Sequence, residues 1–251
     1  MSVVVALLAT RTRALSTSGA LAAVFVGSLC VAAGWSWGAL LLSLFLSSSA
    51  LSRVGERKKE ARLSGVVQKS GERDAAQVLA NGGLFAAAAL AQLLFPSAAW
   101  AALGAGAVAA STADTWATEI GTLSASDPIS VLSGDRVPAG TSGAVTLVGT
   151  VAGVGGALFI GAGATLARWP VSLAAIVLGG VGGAFADSML GATLQARRWC
   201  DVCASSTERL VHTCGNATRH LAGLRRFDND VVNAICSAVG GLIALVVSRA
   251  A

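Results

Sequence analysis

Long runs of apolar residues, separated by short polar segments, dominate the pattern along this chain. A helix needs roughly 20 mainly apolar residues to cross about 30 Å of hydrocarbon. Runs that meet or approach this length predict about seven transmembrane helices. They cover residues 16–34, 36–52, 76–95, 97–119, 143–167, 171–194 and 230–249. The expected fold class is therefore all-α, a polytopic transmembrane helical bundle.

The remaining segments predict no separate soluble domain. Residues 2–9 are apolar but too few to span, so they form either a truncated first helix or an interfacial segment. They do not resemble a cleaved signal peptide, because the basic residues Arg11 and Arg13 follow them and none precedes them. We expect one integral membrane domain over residues 1–251, with its longest loops at about 53–75, 120–142 and 195–229.

Basic residues are distributed unevenly between the two sides of this topology. All but two of the 18 Lys and Arg residues fall on the side of the N-terminus, and the exceptions are Arg168 and Arg249. Positive charge marks cytoplasmic loops, so we expect a multi-pass cell membrane protein with a cytoplasmic N-terminus. The net charge of +5 then reflects topology. The basic loops lack interleaved aromatic residues, so no nucleic-acid partner is expected.

Composition supports the membrane assignment. Only 12% of the residues are charged and 54% are hydrophobic, whereas soluble domains are about 25% charged. Most of the surface must therefore face a lipid bilayer. The pairs Gly149/Gly153 and Gly179/Gly183 match the GxxxG pattern of close helix packing. A chance match is the alternative for each pair, because the chain contains 30 glycines.

Acidic residues gather at the predicted cytoplasmic side. All 13 lie in those loops or near the adjoining ends of the spans. Asp114 and Asp187 are placed deepest, inside the fourth and sixth spans. Because an ionised carboxylate is costly to bury in lipid, a functional role is favoured for both over pairing with interfacial arginines. For six of the other acidic residues such pairing is the better explanation, namely Asp127, Asp135, Glu208, Glu56, Glu60 and Glu72.

The spacing around Asp114 limits what it can bind. Thr118 lies on the same helix face, four residues on. Glu119 lies about 140° away on a regular helix. Asp114 and Glu119 can therefore share one ion only if the helix unwinds, and otherwise two ions are needed.

A turn formed by Thr141, Ser142 and Gly143 precedes a predicted helix. Free backbone N–H groups at the start of a helix can hold phosphate. The alternative is an ordinary turn in which Thr141 or Ser142 caps the helix.

The loop after the sixth span contains Cys200, Cys203, His212 and Cys214, in the spacing C-x2-C-x8-H-x-C. Cytoplasmic thiols rarely form disulfides. Three thiolates and one imidazole make a complete tetrahedral ligand set for a structural Zn²⁺ ion. The alternative is reduced thiols that pack a short loop.

Several long motifs resemble those of the domain of unknown function 92 family of integral membrane proteins, which includes transmembrane protein 19. The hallmark is Asp114-Thr-Trp-Ala-Thr-Glu-Ile-Gly121. The resemblance continues across nearly the whole chain, in residues 77–83, 137–143, 187–195, the Cys/His loop and 229–233. The opening helix of the family is shortened here.

The resemblance implies an enzyme similar to the phytyl-phosphate kinases of plant and cyanobacterial members. Such an enzyme transfers a phosphoryl group from CTP or another nucleoside triphosphate to a prenyl (isoprenoid) monophosphate. Because both substrates are anionic, the reaction requires Mg²⁺, carboxylate ligands and basic groups. On this chemistry we assign Mg²⁺ ligation to Asp114, Glu119, Asp187 and Asp230. We assign phosphate binding to Lys58, Lys59, Asn81, Thr141, Ser142, Gly143 and Asn233.

Three alternatives to a kinase stay open. An ion-coupled transporter would use the same carboxylates, although no charged residue lies at mid-membrane in any predicted span. A CTP-dependent cytidylyltransferase would release pyrophosphate instead of CDP. A structural assembly protein has no evident need for such dense carboxylate and amide motifs.

Overall fold

A computed structural model describes residues 1–63 and 71–250 of the chain. The described residues form nine helices: α1 Ser2–Arg11, α2 Thr17–Ala33, α3 Trp35–Arg53, α4 Glu56–Leu63, α5 Ala75–Leu94, α6 Ala98–Gly121, α7 Leu147–Leu166, α8 Leu173–Thr193 and α9 Asn229–Ala250. Short strands lie between them: β1 Ile129–Ser130, β2 Ala144–Val145, β3 Arg197–Cys200, β4 Ser205–Thr207 and β5 Arg219–Ala222. All seven predicted helices are present, and their ends agree within two residues except at the start of α7.

The protein is a helical membrane protein with roughly five to seven spans. Five helices in the described part of the chain, α3, α5, α7, α8 and α9, are long and apolar enough to cross a membrane. Helix α2 is shorter, with 17 residues. Helix α6 has 24 residues, and nearly all of its residues from Ala101 to Ala113 are buried. Its small side chains are typical of a central helix that packs against other helices instead of lipid.

Helix α1 is a short helix that lies along α2. Its 10 residues give a length of about 15 Å, half the thickness of the hydrocarbon core. Ala6 and Ala9 are buried, and the Ser2 hydroxyl lies 3.1 Å from the position that a Cβ on Gly27 would take. Because Gly27 is in the middle of α2, α1 reaches only halfway along it. This agrees with a shortened first helix and not with a segment confined to the interface.

Glycines bring the central helices into close contact. A Cβ on Gly153 of α7 would lie 3.1 Å from the Ala113 carbonyl oxygen of α6. A Cβ on Gly183 of α8 would lie 2.7 Å from the Cys236 carbonyl oxygen of α9. Both predicted GxxxG pairs therefore lie at real helix contacts, where the absence of a side chain lets two backbones approach. These contacts fix α6, α7, α8 and α9 around one another.

The predicted start of the fifth span is wrong. Residues 144–145 form β2 and pair antiparallel with β1, and α7 begins at Leu147. The cap is Thr146, whose side chain accepts a hydrogen bond from Gly149 N at 3.0 Å, so neither Thr141 nor Ser142 caps the helix. Strand pairing explains the difference, because it competes with helix formation and β-branched residues favour it. The helix start on which the phosphate argument for residues 141–143 rested is therefore absent, and phosphate binding by these residues stays a prediction.

The polar loops converge at one end of the bundle. Arg73 N donates to Ala14 O at 3.1 Å, Arg62 donates to the carbonyl oxygens of Thr122 and Ser124, and Ser142 contacts Glu208. Arg168 lies at the opposite end, beside Trp37 and Gln92. The uneven charge distribution of the sequence is thus a difference between the two ends of the structure. Lys69, one of the basic loop residues, lies outside the described residues.

Candidate functional site

A cavity of about 550 Å³ opens at the end of the bundle where the loops converge. One part of its wall is polar and combines predicted site residues with residues to which the sequence assigned no role in the site. The predicted ones are Asn81, Asp114, Glu119, Thr141, Ser142, Gly143, Asp187 and Asn233. The others are Arg62, Arg73, Gln77, Thr118, Ser188, Gln195, Glu208 and Asn229. The helices therefore collect these groups into one site.

Asp114 and Asp187 form a pair of carboxylates in this wall. They come from α6 and α8, and their carboxyl groups are within hydrogen-bonding reach of each other. The Oδ2 atom of Asp187 is buried without a hydrogen-bond partner among the described residues. A buried carboxyl oxygen without a partner is energetically costly. A bound Mg²⁺ ion would remove that cost, because it prefers oxygen ligands of this kind. The donor set therefore fits the ion that the sequence predicts.

Glu119 lines the cavity from a separate position and has other partners. Its Oε2 lies 2.5 Å from Lys59 Nζ, and its Oε1 accepts a hydrogen bond from Ser52 Oγ at 2.5 Å. Helix α6 stays regular through this region. Asp114 and Glu119 therefore face different neighbours, as their angular separation on the helix predicts.

Neither predicted lysine lines the cavity. Lys59 is buried, and it also donates to Leu51 O at 2.6 Å. Lys58 donates to Leu123 O at 3.1 Å. Among the described residues, the basic side chains that line the cavity are Arg62 and Arg73.

Arg73 lies just before α5 and is tied to α3. Its guanidinium donates to Ser49 Oγ at 2.9 Å and to Ser52 Oγ at 3.2 Å. Burial lowers the pKa of Arg73, and the nearby charge of Glu119 acts in the opposite direction. In the sequence, Arg73 is one basic residue in a basic loop, and nothing distinguishes it from the other basic residues there.

The two predicted amides lie over a small hydrogen-bond network between α5, α6 and α9. Ser111 and Ser237 are 2.7 Å apart through their hydroxyl oxygens. Ser111 Oγ also lies 2.9 Å from Asn81 O, and Ser237 Oγ lies 3.1 Å from Asn233 O, so one hydroxyl donates to the other, which in turn donates to a carbonyl oxygen. This network fixes the backbone beneath both amides, which line the cavity. Asp230 is not among the lining residues, so the structure does not bring it to the cavity wall with Asp114 and Asp187.

The turn at residues 141–143 lines the cavity, although no helix begins at these residues. Gly143 has φ +74°, and a Cβ there would lie 2.5 Å from Ser188 O of α8. The turn therefore needs glycine in order to lie against α8. Ser142 Oγ donates to Glu208 Oε1 at 2.7 Å. The same Glu208 atom accepts from Gln195 Nε2 at 2.8 Å.

The sequence favours pairing of Glu208 with loop arginines, but the structure places it in the cavity wall, close enough to Asp187 to act on it electrostatically. Nothing in its local sequence marks it, because its place depends on a contact with Ser142 from another loop and on one with Gln195 at the end of α8.

A second part of the cavity is an apolar arm between α1, α2 and α3. It is lined by Val5, Ala6, Ala23, Val26, Val31, Leu41, Leu42, Leu44 and Phe45. The arm joins the polar wall in a single cavity, so the site is amphipathic.

The four Cys/His residues also come together, outside the cavity. Their ligand atoms all lie within 4.8 Å of one another. Hydrogen bonds from Asn216 are the main cause that lowers the pKa of Cys214 to about 6, and the hydrogen bond with Cys214 raises the pKa of Cys203 to about 11. The predicted convergence of these residues is therefore present.

Comparison with known proteins places the chain among integral membrane proteins. A sequence model of the integral membrane protein family DUF92 matches residues 1–241. Protein PGR of Arabidopsis thaliana is 30% identical over 250 residues, which cover 88% of this chain and 84% of that protein.

Two microbial relatives are also similar. An uncharacterized membrane protein of Methanocaldococcus jannaschii is 31% identical over 254 residues, which cover 97% of this chain and 90% of that protein. An uncharacterized membrane protein of Synechocystis is 32% identical over 178 residues, which cover 67% and 66%. No solved structure matches the chain.

Proposed function

The chain belongs to the DUF92 family of integral membrane proteins, and on that premise we propose that it is a membrane-embedded prenyl-phosphate kinase. It transfers the γ-phosphoryl group of CTP or another nucleoside triphosphate to a phytyl-type lipid monophosphate at the cytoplasmic face. The amphipathic cavity is the observation that carries this proposal. Its carboxylates and amides suit phosphate and Mg²⁺, and its apolar arm suits an isoprenoid chain.

The shape of the cavity matches a substrate with a charged head and a long apolar tail. Burying apolar surface stabilises a bound chain by about 0.8 kcal/mol per CH₂ group. A prenyl chain in the arm between α1, α2 and α3 would leave its phosphate beside Asn81, Asn233 and Arg73. The tail thus supplies affinity, and the polar wall positions the reacting group.

The proposed reaction needs no general base. The second pKa of a phosphate monoester is about 6, so the acceptor oxygen is already an anion at neutral pH. This oxygen attacks the γ-phosphorus, the bond from that phosphorus to the β–γ bridging oxygen breaks, and the nucleoside diphosphate leaves with that oxygen. The main barrier is repulsion between the two anionic substrates.

Two sets of side chains would lower this repulsion. Asp114 and Asp187 would hold Mg²⁺, which when bound neutralises charge on the transferring phosphoryl group. Arg62 and Arg73 would supply fixed positive charge at the same wall. The amides of Asn81 and Asn233 would orient phosphate oxygens by hydrogen bonds.

The same carboxylate pair would also suit an ion-coupled transporter, because buried acidic residues carry protons or ions in such proteins. A cytidylyltransferase would use the same cavity but transfer the α-phosphorus of CTP with its nucleoside.

Labelled CTP separates the kinase from the cytidylyltransferase and from a protein that transfers no part of CTP, such as a transporter. Purified protein in detergent is incubated with phytyl monophosphate, Mg²⁺ and CTP that carries ³²P at either the γ or the α position. We expect label from the γ position, and none from the α position, in the lipid diphosphate. Label from the α position alone would identify a cytidylyltransferase instead. If neither label enters lipid with any nucleoside triphosphate or prenyl phosphate tested, the kinase proposal is wrong.

A further inference from the structure

The segment between α8 and α9, residues 195–228, folds as a small sheet with almost no apolar core of its own. Strand β3 pairs with β4 and with β5. Its buried side chains are mainly polar: Gln195, Thr207, His212 and Thr218, with Cys200 as the buried exception. Val202, Leu210 and Val211 are exposed. Folded units below about 40 residues usually depend on a disulfide or a metal ion for stability.

The Cys/His cluster lies where such a stabiliser is needed. Cys200 ends β3, Cys203 lies in the turn to β4, and His212 and Cys214 lie in the loop to β5. One metal ion bound by all four would tie together the connections between the three strands.

The distances suit a tetrahedral zinc site. Zinc–sulfur bonds of about 2.3 Å separate two tetrahedral sulfur ligands by about 3.8 Å, and a sulfur and a nitrogen by about 3.6 Å. Cys200 Sγ and Cys214 Sγ are 3.6 Å apart, and His212 Nδ1 lies 3.2 Å from Cys214 Sγ.

The neighbours of the cluster also suit metal ligation. His212 presents Nδ1 to the thiols, while its Nε2 lies 3.5 Å from Ser205 Oγ. A hydrogen bond to the second ring nitrogen commonly orients a metal-bound histidine. Asn216 Nδ2 donates to Cys214 Sγ at 3.4 Å, which suits a thiolate.

We propose that Cys200, Cys203, His212 and Cys214 bind one structural Zn²⁺ ion, which holds the small sheet in shape beside the cavity. The sheet carries Gln195 and Glu208 at its edges, and their mutual hydrogen bond faces the cavity. This zinc site does not depend on the proposed phosphoryl transfer. All four protein ligands are present, so the site has no open position for catalysis.

Metal analysis of the whole protein tests the proposal. Protein purified with a reductant and without a chelator is expected to contain about one zinc per chain. Cys203→Ser and Cys214→Ser are expected to lose it. Cys30→Ala and Cys236→Ala are the matched controls, because both thiols are buried in other helices, and they are expected to keep it.

Two further measurements test the proposal even if a cysteine variant fails to fold. X-ray absorption at the zinc edge of the wild-type protein is expected to give three sulfur neighbours at about 2.3 Å and one nitrogen neighbour at about 2.0 Å. Zinc removal by a chelator is expected to speed hydrogen exchange in residues 195–228 but not in α6. The proposal is overturned if reduced protein contains no zinc and takes up none on titration, or if Cys200 and Cys214 form a disulfide.

Discussion

At the residue scale, their position between α6 and α8 distinguishes Asp114 and Asp187 from exposed acidic side chains. Asp127 and Asp135 lie exposed in a loop, where a carboxylate is fully hydrated and needs no partner. Asp114 and Asp187 face each other inside the bundle. Two adjacent carboxylates in such a place repel each other unless a cation or a proton is shared between them. That arrangement supports metal binding more strongly than the identity of either residue.

The first prediction concerns this pair. Asp114→Asn and Asp187→Asn should each lower the rate of phosphoryl transfer roughly a thousandfold, because asparagine keeps the shape but loses the charge that holds Mg²⁺. Folding should survive, since removing one buried charge also removes a desolvation cost. Turnover of phytyl monophosphate is the measurement, with Asp135→Asn as control. Near wild-type turnover in both variants would exclude the carboxylate–Mg²⁺ mechanism.

The second prediction concerns Glu208. Ser142 and Gln195 both donate to its Oε1, so Glu208→Gln should keep an acceptor for both and remain folded. The lost charge near Asp187 should raise the Mg²⁺ concentration for half-maximal activity about tenfold. A Mg²⁺ titration of activity measures this. Glu60→Gln, at an exposed position, should change nothing. An unchanged Mg²⁺ requirement in Glu208→Gln would remove Glu208 from the proposed site.

At the element scale, the positions of the carboxylates depend on how closely α6, α8 and α9 pack. A Cβ on Gly240 of α9 would lie 2.8 Å from Gly106 O of α6 and 2.9 Å from Gly179 O of α8. One glycine therefore lets three backbones meet. Because lipid and apolar side chains are equally apolar, such close backbone packing is a main source of attraction between helices in a membrane.

The third prediction tests that packing. Gly240→Ala should destabilise the protein by about 1–3 kcal/mol, since its methyl group would have to push two carbonyl oxygens away. Gly83→Ala is the matched control, because a Cβ there has 3.9 Å to its nearest neighbour, and it should be neutral or slightly stabilising. Thermal unfolding in detergent compares the two. Equal melting temperatures would mean that α9 can shift without cost.

At the whole-molecule scale, the bundle has one polar end with the cavity and one apolar end with few charges. The loops that carry Arg62, Arg73 and Glu208 meet at the first end. Arg168 and the aromatic cluster of Trp37 and Trp169 lie at the second. The positive-inside tendency predicts that the cavity faces the cytoplasm, where nucleoside triphosphates are available.

The fourth prediction tests this orientation. A cysteine introduced at Asp135 should react with a membrane-impermeant reagent only from the cytoplasm, and one introduced at Arg168 only from outside. Peptide mass spectrometry identifies the modified position despite the native cysteines. Reversed labelling would contradict the orientation but not the fold. Labelling of both positions from one side would contradict the separation of the two ends.

The sequence by itself determined the helices and the distribution of charge. All but one of the predicted span ends fall within two residues of the observed ends. Within lipid, the backbone must satisfy its own hydrogen bonds by forming a helix, and the thickness of the hydrocarbon core sets the length of that helix. The exception, the start of α7, depends on the pairing of β1 with β2, which lie 14 or more residues apart. The Cys/His cluster was also predictable, since its ligands lie within one short loop.

Only the tertiary structure decided which polar residues share the cavity. Ser142 and Glu208 are separated by 66 residues, and Lys59 and Glu119 by 60. Apolar periodicity indicates that a helix is buried but not which other helix it packs against, so neither pair of residues was predictable. The glycine contacts set the positions of the helices, and the loops pack across the helix ends. Together they pair Lys59 with Glu119 and place Arg62, Arg73 and Glu208 in the cavity wall.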